Sequence, residues 1–133
     1  MRSDVVGDAL RAFLHGETDP KSFRHEDHVR MAYEILSRHA NFIDAATAYA
    51  SSLRKIAARA GNANAYHETI TLAFLSLIAE RLAADSYESF DQFARVNADL
   101  LDKGTLSRWY SAERLGSAVA RATFVLPLQK AVR

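Results

Sequence analysis

The sequence predicts an all-α protein, a single up-and-down bundle of five or six helices, with residues 1–133 forming one helical domain. Three observations predict it. Apolar residues recur at helical spacing through segment after segment. The five glycines and two prolines fall mostly between those segments. No stretch alternates apolar and polar residues as a half-buried strand would.

Residues 4–14 read as the first helix, with Val5, Val6, Ala9, Leu10, Phe13 and Leu14 apolar. Gly16-Glu17-Thr18-Asp19-Pro20 stops it. Ser22 or Arg24 opens a second helix running to about Ala40. A third spans Asp44 to Ala60 and is closed by Gly61-Asn62. Residues 66–83 form a fourth. A fifth runs from about Ser89 to Asp102, with Ser86 or Ser89 as N-cap, and ends at Gly104. Glu113 to Phe124 forms a short sixth, closed near Pro127.

Composition narrows the function classes. The chain has 133 residues, 49% hydrophobic and 25% charged, a size and balance suited to one self-sufficient core. Seventeen basic residues against sixteen acidic leave a net charge of +1, too even to imply a nucleic-acid or anionic-membrane partner. There are no cysteines, which removes disulfides, thiolate chemistry and Cys-ligated zinc. Met1-Arg2-Ser3-Asp4 leads into an amphipathic run rather than a signal segment, and no apolar run approaches membrane-spanning length. The expectation is a cytoplasmic protein without membrane association.

Three histidines are the sharpest chemical feature. Helical residues turn by about 100° each. In the second helix Val29, Ala32, Ile35 and Leu36 share a face, and His25 and His28 extend that face toward the N-terminus. In the fourth helix Ile70, Phe74, Leu77 and Ile78 define the inward face, with His67 at its centre and Thr71 one turn on. Short links favour antiparallel neighbours, so the starts of the second and fourth helices share one end of the bundle. The fifth helix would deliver Arg108-Trp109-Tyr110 to the same end. The expected pocket is walled by Phe23, His25, His28, Asn62 or Asn64, Tyr66, His67, Glu68, Arg108 and Tyr110.

Three segments carry a resemblance. Phe23-x-His25-x-x-His28-Val29-Arg30-Met31-Ala32, then Tyr66-His67-Glu68-Thr69-Ile70-Thr71, then Trp109-Tyr110-Ser111 with Leu115, span roughly residues 20 to 127. Together they resemble a family of small, uncharacterised, all-helical bacterial proteins with F-x-H-x-x-H-x-R-x-A and Y-H-E-T-x-T motifs. The end departs from that pattern, since Val125-Leu126-Pro127-Leu128 lacks the acidic residue expected there. The resemblance implies the choice of residues and no reaction.

Chemically, three classes of reading stay open. The first is a metal-free pocket for a small polar or anionic molecule. His67, His25 and Tyr110 are its candidate catalytic groups, with His67 as general base. His28, Tyr66, Glu68, Arg108 and Arg24 are candidate ligand-binding groups. The second is a transition-metal site for Zn, Fe or Ni, using His25, His28 and His67 with Glu68. Against it stand the positive potential of helix N-termini and an H-x-x-H spacing that matches no familiar metal motif. The third is a non-enzymatic interaction protein with satisfied core histidines, in which Ala45, Ala46, Ala48, Ala50, Ala57, Ala58 and Ala60 make a tight bundle or a homodimer seam. Arg54, Lys55 and Arg59 read as a solvated basic strip, and His15 and His39 as structural residues near helix C-termini.

Overall fold

A computed structural model describes residues 3–128. Met1 and Arg2, and residues 129–133, lie outside the described residues, as does that part of the signal-segment reading. Among the described residues there are seven α-helices and no strand, so the all-α class is shown. The helix count exceeds the expected five or six, and the first four are the long ones. They are α1 (Ser3–Leu14), α2 (His25–Arg38), α3 (Phe42–Arg59) and α4 (Glu68–Ala84). Three short helices follow, α5 (Phe90–Val96), α6 (Ala112–Leu115) and α7 (Ala118–Ala122). Single 3₁₀ turns at Ala63–Ala65, Ala98–Leu101 and Thr105–Arg108 join them.

Local chemistry sets the boundaries. At Gly16 and Gly61 the backbone takes φ of +72° and +74°. The next amide in each case reaches back to the helix, Glu17 to the Ala12 carbonyl and Asn62 to the Ala57 carbonyl. Both are Schellman ends, where glycine bears the left-handed residue without Cβ strain. Asn41 caps α3 by accepting from the Asp44 amide at 2.9 Å, which starts that helix earlier than the Asp44 expected. In α2 the Asp27 carboxylate accepts from the Arg24 amide at 2.9 Å.

Two expected helices are broken, each for a visible reason. The fifth stops at Val96 instead of reaching Asp102. Asn97 is buried and turns its side-chain amide on the helix, donating to the Phe93 carbonyl and the Tyr87 hydroxyl. A side chain that bonds its own backbone offers the chain an exit from the helix. Gly116-Ser117 splits the sixth. Ser111 caps α6 through the Arg114 amide, and Ser117 caps α7 through the Ala120 amide.

The main core joins Leu10, Phe13, Val29, Ala32, Ile35, Tyr49, Ile56, Leu75, Ile78, Phe93 and Leu100. Each fully buried Phe, Leu or Ile among them contributes roughly 1.5–3 kcal/mol. Helix α4 is apolar nearly all round because it packs on α2 and α3 on one side and α7 on the other. That sandwich buries Thr71, as the wheel expects, together with Thr69 and Leu75, which a single-faced wheel had not placed at the centre, and leaves Ile70 at 36% exposure. A second cluster of Phe74, Leu106, Tyr110, Ala120 and Val125 seals the α7 side. No helix among the described residues is long and apolar enough to cross a membrane.

Candidate functional site

A cavity of about 580 Å³ opens between α2, α3 and α4. His25 and His28 line it from the first turn of α2, with Phe23 just before them. Tyr49, Leu53, Ile56, Ala57 and Ala60 line it from one face of α3, and Tyr66, His67, Ile70, Thr71, Phe74 and Ile78 from the start of α4. Pro20, Val29, Asn62, Ala65 and Lys103 complete the wall. The three histidines thus line one cavity. The wall is largely apolar, and the small side chains of Ala57, Ala60 and Ala65 leave the space open. Ala57 in α3 and Ala60 at its C-cap therefore do something the sequence reading missed. The signal was present, since residues 49, 53, 56, 57 and 60 fall at helical spacing on one face.

The three histidines are chemically unequal. His67 caps α4, its Nδ1 accepting from the Ile70 amide at 3.1 Å. Its Nε2 lies 2.7 Å from the Leu115 carbonyl. An amide can only donate and a carbonyl only accept, so the proton sits on Nε2 and both nitrogens are spent. His67 has no lone pair left for a metal or for proton abstraction, which corrects its expected role as general base. His25 Nε2 donates to the Leu100 carbonyl at 2.9 Å, leaving Nδ1 as an acceptor. The His28 ring has no hydrogen bond to protein among the described residues and packs against Phe23 at 4.4 Å between ring centres. Burial, and then the neighbouring His25, lower its pKa to about 4 against the opposing pull of Asp27, so at neutral pH it is an uncharged imidazole.

Beside His67, Tyr66 donates to Glu68 Oε1 at 2.6 Å, and Arg54 reaches the same oxygen at 3.2 Å while lying over the Tyr66 ring. Burial and the bond to Glu68 push the Tyr66 hydroxyl up to about 12, so it remains a donor. Glu68 is consumed by this ion pair and does not line the cavity. Arg54, Lys55 and Arg59 are all exposed, as a solvated strip would be, and Lys55 Nζ also donates to the Leu14 carbonyl at 3.5 Å.

Arg108 and Tyr110 are not at the cavity. Because the chain leaves the helix at Asn97, residues 105–110 fold onto α4 instead. There Tyr110 is buried and donates to the Val125 carbonyl at 2.8 Å. Arg108 pairs with Asp99 and lies over Trp109. Arg24 is exposed, and only its backbone takes part in the helix start. His15 and His39 are exposed and line no part of the cavity. Among the described residues no three His, Cys, Asp or Glu side chains are grouped to hold a metal ion. The expected set fails because His67 is doubly bonded and Glu68 is ion-paired.

The motif residues instead meet each other. His67 holds the Leu115 carbonyl. Thr69 donates to the Thr123 carbonyl at 2.7 Å and accepts from the Val125 amide at 3.1 Å, and Tyr110 holds the Val125 carbonyl. The His67 and Thr69 bonds form a polar staple fastening residues 115–125 to the start of α4, and the Tyr110 bond closes residues 110–125 on themselves. No protein-family model, curated protein or solved structure matches this chain.

Proposed function

We propose that this protein binds a small molecule with an apolar body and one polar group in the cavity between α2, α3 and α4. One observation carries the reading. A cavity within the 300–1,000 Å³ range of ligand sites, walled mostly by apolar and aromatic side chains, holds a neutral His28 with no protein partner for its ring nitrogens. His28 is half-buried on the cavity wall, and a ring nitrogen without a protein partner there is free to bond a ligand or water. Binding is better supported than acid–base catalysis. A general base works best with a pKa near the working pH, and a histidine held near 4 is a weak one.

This reading takes the protein as cytoplasmic, with α1–α4 arranged up and down and the short helices closing one side. It also takes the three motifs as those of the small bacterial family they resemble. The test is saturable binding of an uncharged fluorescent probe, N-phenyl-1-naphthylamine, to the full chain. Ala57→Phe, which fills the cavity, should abolish the signal while far-ultraviolet circular dichroism stays helical. Absence of saturable binding, or binding untouched by Ala57→Phe, would refute the site.

A further inference from the structure

The hydrogen-bonding capacity left open at the cavity wall restricts what can enter it. His25 has committed its Nε2–H to the Leu100 carbonyl, so in the neutral ring Nδ1 is an acceptor. A neutral His28 presents one donor and one acceptor. His67 has neither to spare, and the Asn62 amide on the wall is exposed to solvent. A carboxylate, which only accepts, could take the His28 N–H but would face the His25 lone pair. It would also shed water against apolar walls, with only the start of α2 and the exposed Lys103 as positive potential to offset that cost. Lys103 stands at the rim but is exposed, where water and salt screen its charge. An ammonium would suit the acceptors but would sit at the positive end of the 14-residue α2, with Lys103 nearby. A hydroxyl meets neither objection, because it donates to one imidazole and accepts from the other. Phe23, Tyr49, Tyr66 and Phe74 on the walls suit an aromatic body.

We propose that the ligand is an uncharged aromatic alcohol or phenol whose hydroxyl is bound by His25 and His28. This rests on the cavity being a small-molecule site. The experiment measures displacement of N-phenyl-1-naphthylamine from the full chain, near neutral pH, by para-ethylphenol, ethylbenzene, para-methylbenzoate and para-methylbenzylamine. The phenol should bind at least about tenfold tighter than ethylbenzene, with the benzoate and the amine weaker than the phenol. His28→Leu should bring the phenol-to-ethylbenzene ratio toward one while ethylbenzene still binds. Ethylbenzene binding as tightly as the phenol, or the benzoate or amine binding tightest, overturns the inference and leaves the cavity reading standing. A probe that neither binds nor is displaced by any of the four overturns both. The wild-type ratios decide the matter even where His28→Leu fails to fold.

Discussion

The His67 imidazole ties the N-terminus of α4 to the Leu115 carbonyl, 48 residues further along the chain, at 2.7 Å. The same ring caps the helix through the Ile70 amide. One side chain therefore serves a local and a long-range purpose, and losing it costs twice. His67→Ala removes a cap, worth about 0.5–2 kcal/mol, and strands a buried-side carbonyl, worth about 1–3 kcal/mol. Urea unfolding should show a loss of about 2–4 kcal/mol.

His67→Asn separates the two contributions. Asparagine is among the best N-caps, but it is too short to reach Leu115. It should recover about 1 kcal/mol of the loss. A His67→Ala cost below about 0.5 kcal/mol would mean that neither bond matters.

The four long helices were legible because their apolar spacing, Gly16 and Gly61 all pointed the same way. The inward faces of His25, His28 and His67 were legible from the same spacing, and all three line the cavity. The second half was not. Asn97 ends α5 through a local bond to the Phe93 carbonyl held in place by bonds with Tyr87 and Arg81, which exist only once the fold has formed. With that helix broken, Arg108 and Tyr110 land on α4 rather than at the cavity. The roles of Tyr66 through Thr71 were hidden too. Their type and spacing fit a ligand site as well as they fit the staple to residues 115–125, and only coordinates choose between the two.

Asp99 bridges Arg81 and Arg108, pairing with Arg81 at 2.8 Å, and so anchors the turn whose Leu100 carbonyl receives His25. The Arg81 hydrogen bond, then Arg108, holds its carboxyl well below the ordinary value near 3.8. A depressed carboxylate contributes stability above its unfolded pKa and loses it as pH falls below that value. The loss should therefore begin near pH 4 and continue downward. With Asp99 about a third exposed, solvent screening limits the effect to about 1 kcal/mol. Asp99→Asn should lower stability at neutral pH and flatten this acid limb. An unchanged limb would show that other carboxylates control it.

The two left-handed glycines should respond differently. A Cβ at Gly16 would lie 2.6 Å from Lys55 Cβ, whereas a Cβ at Gly61 meets nothing within 4 Å. Gly61→Ala bears only the left-handed backbone penalty, about 1–2 kcal/mol. Gly16→Ala bears that penalty and a clash between α1 and α3, and should melt at a clearly lower temperature. Equal losses would mean that the α1–α3 contact yields without cost.

His28 makes the sharpest pH prediction. Burial, reinforced by His25 and opposed by Asp27, lowers its folded pKa to about 4 from an ordinary 6.5. For a base with a depressed pKa, the unfolded chain takes up the proton first. Between pH 6.5 and pH 4 unfolding therefore gains protons, and stability falls as pH falls. At about 1.4 kcal/mol per pH unit the loss reaches at most about 3 kcal/mol across that window, and it is absent above it. Denaturant melts of wild type and His28→Gln over this range test the sign. The wild-type curve should slope where the variant's is flatter, and the His28 ring resonances should titrate near pH 4. A ring that titrates near 6.5 would mean that water reaches it freely in the folded protein, and this slope would be absent.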